Sequence, residues 1–279
     1  MTGAPPYDRH GPAEPASPVV LSVPHAGRDY PLALRAALRV APATLIALED
    51  RHADTLALAA RGAETLFVAT RPRAWIDLNR AETERDPRVD EGADPIPDGA
   101  MSLKLRSGLG LIPRRVGGAD LWRRRFSDEE VRARIGKDHR PYHAALADAL
   151  AAARARFGVA VLIDVHSMPP LARGGARLVI GDRFGRAAAT RFVSRIEASA
   201  HSAGVRTALN TPYAGGYVLA RHADPGTNIH AIQLEFDRSL YLDRRQREPG
   251  AGFDATVALL RRVVDAVADE TLPLADAAE

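Results

Sequence analysis

Four apolar, strand-like runs each end in residues able to do chemistry, and this arrangement constrains the fold more than any other feature. Val19-Val20-Leu21-Ser22-Val23 runs into Pro24-His25-Ala26-Gly27, and Trp75-Ile76-Asp77-Leu78 runs into Asn79-Arg80. Val159-Ala160-Val161-Leu162-Ile163 leads to Asp164-Val165-His166-Ser167, and Ala231-Ile232-Gln233-Leu234 to Glu235-Phe236-Asp237-Arg238. In open α/β sheets, ligands and catalysis gather in the crevice beyond the carboxyl ends of the strands. Two histidines, several carboxylates and arginines at four such ends describe a hydrolytic site on a sheet.

The rest of the chain fits one sizeable α/β domain. Apolar runs alternate with helical segments, which implies a mostly parallel sheet covered by helices. The hydrophobic fraction of 46% is ample for a core. No apolar stretch approaches the roughly eighteen residues of a membrane span, so no membrane association is expected. There is no cysteine, which excludes disulfides and thiol catalysis. Residues 1–17, rich in Pro, Ala and Gly, read as a disordered lead-in without the apolar segment of a signal peptide. A cytoplasmic, soluble protein is expected, with residues 18–270 as one catalytic domain and 271–279 as a tail. The net charge of +3 includes a dense basic patch at Arg114-Arg115 and Arg123-Arg124-Arg125. Acidic residues nearly balance it and no nucleic-acid module is present, so a solvated or substrate-steering surface is expected rather than nucleic-acid binding.

Local signals place the elements. Residues 43–61 have helical periodicity through Leu45, Leu48, Leu56 and Ala59, stopped by Gly62. Strands are expected over 66–69 and 74–78, and 82–116 reads as an excursion of loops. Ser127-Asp128-Glu129-Glu130 is a capping box opening a long helical region to Phe157-Gly158, with a break near His139 imposed by Pro141. Further strands are expected at 159–163, 178–180 and 231–236, and helices over 186–203 and 254–270. Residues 211–227, with Gly215, Gly216 and Gly226, form a loop able to approach a ligand closely.

Zinc takes histidine nitrogen and carboxylate oxygen where cysteine is unavailable, and catalytic sites keep three protein ligands. His25 and His166 sit at the ends of two strands. Asp50 and Asp54, at i and i+4 of the first expected helix, share one helical face. Two histidines with one of these carboxylates would complete the set. His139 and His143 repeat the i, i+4 spacing, but helix packing accounts for them. Ser167 lacks a Gly-x-Ser-x-Gly elbow, which disfavours a serine hydrolase. Asp164 is placed to orient His166.

Five motifs in order carry a resemblance: Ser22–Gly27, Arg73–Arg80, Asp164–Ser167, Pro212–Tyr217 and Gln233–Tyr241. Together they resemble the N-formylglutamate amidohydrolase family over roughly residues 18–265, a distant relative of zinc carboxypeptidases and aspartoacylases. The resemblance implies a three-layer α/β/α fold of the zinc-exopeptidase type, with a mostly parallel mixed sheet and one Zn2+ per chain. His25 and His166 match the imidazole ligands. The carboxylate ligand comes from the Asp50/Asp54 pair, with Asp54 favoured and Asp50 or Glu49 as alternatives. The carboxypeptidase pattern has a carboxylate three residues after the first histidine, where this chain has Arg28. Glu235 matches the catalytic glutamate, and Arg73 the arginine that polarises the scissile carbonyl. Asn79 and Arg80 match the substrate-carboxylate grip, with Gly215, Gly216 and Tyr217 beside the substrate.

The chemistry agrees with those roles. Formamide hydrolysis at neutral pH needs a better nucleophile than water, and a divalent metal lowers the pKa of water to about 7. A glutamate can carry its proton to the departing amine, and an arginine can meet oxyanion charge. Arg grips a carboxylate bidentately where Lys does not. The expected reaction is hydrolysis of N-formyl-L-glutamate to formate and L-glutamate, a closing step of histidine degradation. Rivals are a related hydrolase of N-formyl- or N-acyl-aspartate or a small peptide, and a metal-free binding protein for an acidic ligand. Other divalent metals would suit the same donors.

Overall fold

The structure, a computed structural model, describes residues 5–97 and 101–272. The expected lead-in up to residue 4 and the tail from residue 273 lie outside the described residues. The strands are β1 (Tyr7–His10), β2 (Val19–Val23), β3 (Thr65–Ala69), β4 (Arg115–Val116), β5 (Ala119–Asp120), β6 (Ala160–Met168), β7 (Leu178–Gly181), β8 (Thr207–Leu209) and β9 (Ile229–Asp237). The helices are α1 (Leu32–Ala37), α2 (Ala53–Ala60), α3 (Leu103–Arg106), α4 (Asp128–Arg134), α5 (Arg140–Phe157), α6 (Thr190–Ser202), α7 (Tyr217–His222) and α8 (Phe253–Asp269). No helix among the described residues is long and apolar enough to cross a membrane.

Seven strands form one mixed sheet in the order β1-β3-β2-β6-β9-β7-β8. β2 pairs with β6, β6 with β9 and β7 with β8 in parallel, whereas β7 runs antiparallel to β9. β2, β3, β6 and β7 are buried at every position, which is why they read as largely apolar runs. The α/β class and the mostly parallel mixed sheet are as expected.

The chain forms two compact units, interleaved in sequence. One is built from Pro24–Arg51 and Val68–Ala145 with the chain up to Asp8. The other is built from Arg9–Val23, His52–Phe67 and the chain from Leu146 onwards. Residues 18–270, expected as one domain, fall partly in each unit.

The second unit holds the central strands. Its helices α2 and α6 each pack on α8, with α2 and α8 also on β2. In α8, Leu259, Leu260, Val263, Val264 and Val267 recur at helical spacing and are buried. The Arg261 guanidinium of α8 grips Glu64 through two bonds of 2.8 Å. Three local readings change here. Tyr7–His10, within the expected lead-in, is a strand, because an edge strand needs backbone partners more than apolar side chains. β6 continues to Met168, so His166 lies inside a strand rather than after it. Residues 211–227 are not all loop, since α7 starts at Tyr217.

In the first unit, Ser127 caps α4 and the capping box closes in both directions, with Ser127 Oγ accepting from Glu130 N and Glu130 Oε2 from Ser127 N. The break imposed by Pro141 takes the form of a π-helical turn over Ile135–His139 before α5. Arg134 of α4 is buried between Trp75 and Phe126, its guanidinium 3.8 and 4.0 Å from the two rings. Burial pushes that guanidinium down to about 10. Ala74–Leu78, expected as a strand, is a series of turns. Trp75 N–H donates to Pro72 O, Arg80 N–H to Asp77 O, and Arg73 pairs with Asp77 one turn away at 2.8 Å. These local bonds replace a strand ladder. The described residues of the excursion over 82–116 are mostly irregular, as their Asp, Pro and Gly content requires, with α3 and the first strand of the small β4–β5 hairpin among them.

Candidate metal centre

The sheet register sets the two histidines. Ser22 of β2 faces Asp164 of β6, and the Ser22 hydroxyl donates to Asp164 Oδ1 at 2.7 Å. His166 lies two residues beyond Asp164 on the same face of β6. His25 lies three residues beyond Ser22, past the end of β2. His25, Asp50 and His166 are all buried, and each offers one ligand atom lying within 4.8 Å of the others.

Each imidazole is held from behind by a carboxylate. His25 Nε2 donates to Asp77 Oδ1 at 2.7 Å, and His166 Nε2 donates to Asp164 Oδ2 at 2.7 Å. That pairing fixes ring orientation and makes Nδ1 the candidate ligand nitrogen of each ring. In His25, Nδ1 stands 3.5 Å from Asp50 Oδ2. Two buried imidazoles and a carboxylate, each ring backed by an acceptor, form a donor set that suits a divalent ion such as zinc.

The third member of the group is Asp50, not Asp54. The chain does not form one helix from 43 to 61. A 3-10 segment spans Pro42–Leu48, His52 adopts φ 58, and α2 begins only at Ala53. The i, i+4 relation between Asp50 and Asp54 therefore does not exist. Asp50 N–H donates to His25 O at 3.0 Å, which ties its backbone to the histidine. Asp54 sits in the first turn of α2, where a carboxylate favours the helix dipole. Glu49 is occupied by Arg51 at 3.0 Å and by the Tyr30 hydroxyl.

Asp77 is a residue that pattern reading passed over as a member of an expected strand. Its Oδ2 takes Arg73 Nε at 2.8 Å while Oδ1 takes His25. Burial alone would push this carboxyl up, but Arg73, His25 and Arg80 override it and hold it well below the usual carboxylate range. The available signal was a lone acid inside an apolar run, which must find partners when buried.

The turn carrying Asn79 and Arg80 is braced from α5 and the π turn. His139 Nε2 donates to Arg80 O at 2.8 Å and His143 Nε2 to Leu78 O at 2.9 Å. The second histidine pair is thus a backbone brace. Arg80 itself is buried, donating from Nε to Leu109 O at 2.8 Å and from Nη1 to Asn79 O at 2.6 Å.

In β9, Glu235 stands in register with His166 of β6, buried in the sheet. Gln233 Nε2 donates to Glu235 Oε1 at 2.9 Å, which supplies the partner a buried carboxylate needs. Gly215 also takes part in a close backbone contact. A Cβ on Gly181 would meet Ala214 C and Gly215 N at 2.8 Å, so the close approach is between β7 and this loop. Gly215 has φ 106, and a Cβ there would strike Leu219 at 2.5 Å. Gly216 and Tyr217 begin α7.

The N-formylglutamate amidohydrolase family model matches residues 17–242 of this chain. A N-formylglutamate deformylase of Pseudomonas putida is 30% identical over 239 residues, 82% of this chain and 83% of that protein. The deformylase of Pseudomonas aeruginosa is 30% identical over 263 residues, 90% and 92% of the two chains. Among solved structures, N-formylglutamate amidohydrolase from Ralstonia eutropha JMP134 superposes with a TM-score of 0.86 at 34% identity, covering 96% of this chain and 99% of that one.

Proposed function

The chain belongs to the N-formylglutamate amidohydrolase family, and on that premise we propose that it hydrolyses N-formyl-L-glutamate to formate and L-glutamate with one divalent metal ion. The observation that carries the metal part is the buried His25–Asp50–His166 group, with each imidazole backed by a carboxylate. These three residues would hold the ion, and zinc is the ion their chemistry favours. When bound, the ion would supply Lewis-acid activation of water and of the formyl oxygen.

The remaining chemistry falls to the chain's own side chains. Glu235 is the general base: it accepts a proton from the attacking water and returns it to the leaving amine. Gln233, bonded to Oε1, fixes the rotamer of that carboxylate. Arg73 supplies positive charge to the developing oxyanion, and its tie to Asp77 fixes where that charge sits. Asp77 and Asp164 keep both imidazoles in one tautomer. Asn79 and Arg80 grip a substrate carboxylate from the braced turn, and Gly215, Gly216 and Tyr217 are the further residues assigned to substrate binding.

The test is turnover by metal-reconstituted protein on a panel of N-formyl-glutamate, N-formyl-aspartate, N-acetyl-glutamate and a small acidic peptide. The expected result is formate release fastest from N-formyl-L-glutamate and abolished by a chelator. Preference for another member of the panel would reassign the substrate. Full activity after complete metal removal would end the metal reading.

A further inference from the structure

Within the unit built from Pro24–Arg51 and Val68–Ala145, a cavity of about 350 Å³ is lined by Arg73, Arg115, Ser107, Leu48, Leu109 and Val116. Arg73 lines this cavity, and its Nε is bonded to Asp77, which also holds His25. A second cation therefore faces the space next to the proposed oxyanion arginine. We infer that Arg115 is the residue that reads the side-chain carboxylate of the acidic substrate, an inference that rests on the reaction proposed above.

Arg115 is built into place from below and exposed at its tip. Gly108, at φ 81, lets the arginine stem cross its backbone, since a Cβ there would lie 3.0 Å from both Cβ and Cγ of Arg115. Arg115 N–H donates to Gly108 O at 3.3 Å and Arg114 N–H to the same oxygen at 2.7 Å. The head group is different. It donates to Gly118 O at 2.8 Å and stands 3.3 Å from Asp120 Oδ1, with both side chains more than two-fifths exposed. An exposed ion pair of that kind is worth little, so an incoming carboxylate can take the place of Asp120 at small cost. Asp120 keeps a partner in Arg114, 2.8 Å from its Oδ1.

The hairpin supports the same role. Gly117 and Gly118 form the turn between β4 and β5 at φ 54 and 84, and no atom lies within 4 Å of a Cβ at either. They line the same cavity, so backbone there is open to a ligand. The walls supplied by Leu48, Leu109 and Val116 suit the methylenes of a glutamate side chain. With Arg80 assigned to one substrate carboxylate, recognition of the second calls for another cation.

The experiment compares N-formylglutamate with N-formylglutamine, which has the same shape and lacks only the side-chain charge. It uses the full metal-loaded chain as wild type, Arg115→Ala and Arg115→Lys. Losing a charge-assisted hydrogen bond should raise KM for N-formylglutamate about 10–100-fold, with kcat within a few-fold. KM for N-formylglutamine should move less than about threefold, and Arg115→Lys should recover part of the loss. Equal effects on both substrates, or none on either, would overturn the assignment. Calorimetric binding of L-glutamate against L-glutamine is run alongside. If wild type turns over neither formyl substrate, the proposed reaction fails. Arg115 is then judged on binding alone, and it is overturned if Arg115→Ala leaves the preference for glutamate unchanged.

Discussion

Asp77 holds His25 by accepting from its Nε2 at 2.7 Å, and the same carboxylate takes Arg73 at 2.8 Å through its other oxygen. One fully buried acid thus sets the orientation of a proposed ligand and of a proposed catalytic cation. Asp77→Asn should lower metal affinity about 10–100-fold, the usual cost of losing such a support. Competition with a chelator measures it, and unchanged affinity would remove Asp77 from the support of the site.

The ligand set itself makes a sharper prediction. His25→Ala and His166→Ala should each abolish stable metal retention through dialysis, and Asp50→Ala should weaken it strongly. Asp54→Ala should leave metal content near wild type and cost only about 0.3–1 kcal/mol through the first turn of α2. Metal analysis and chemical denaturation of the four variants decide it. Greater metal loss with Asp54 than with Asp50 would contradict the geometry.

Glu235 and Arg73 separate proton transfer from charge stabilisation. Glu235→Gln keeps the side chain's shape and its contact with Gln233 but removes the base. It should lower kcat about 10²–10⁴-fold with metal content unchanged. Arg73→Ala should also lower kcat, by about 10²–10³-fold if its role resembles an oxyanion donor. Wild-type turnover by either variant would take that residue out of the mechanism.

Acid should weaken the second unit through Glu64. Its side chain is almost fully buried, and burial pushes its carboxyl up. Hydrogen bonds from Arg261 and from backbone N–H groups outweigh that and lower it below the ordinary 4.5. A lowered folded-state value means that the unfolded chain binds the proton more readily. The stabilisation is therefore complete above about pH 4.5 and is lost as pH falls through the folded value. Glu64→Gln should cost about 2 kcal/mol at pH 7, since it leaves a partly buried Arg261 underpaired. Urea unfolding from pH 7 down to pH 3 should show the gap from wild type closing. A constant gap would assign the loss to packing rather than to charge.

Much of the fold was legible because its signals are local. The buried strands β2, β3, β6 and β7 announce themselves as apolar runs, and Ser127–Glu130 announces the start of α4. Pro141 announces a break, although only the structure shows that a π turn absorbs it. Legibility failed where one local signal stood in for another. Ala74–Leu78 has a strand's composition but is folded by its turn hydrogen bonds and by the Arg73–Asp77 pair. Tyr7–His10 has no apolar signature because the sheet edge asks little of its side chains. His139 and His143 have the spacing of a metal pair, yet each spends its Nε2 on a backbone carbonyl.

The sequence by itself determined the class of sheet, the two histidines beside its strands and the family. Those follow from residue type and short-range order, which the chain carries wherever it goes. Only the tertiary structure decided which carboxylate joins the histidines, that Asp77 and Asp164 stand behind them, and that Arg115 shares a cavity with Arg73. The choice of Asp50 over Asp54 turns on a left-handed residue at His52 that ends one path and starts another. The others depend on strand register and on the route of an irregular excursion, which bring together side chains far apart in sequence. Donor atoms must meet within a few ångströms, and no local period encodes a distance of that kind.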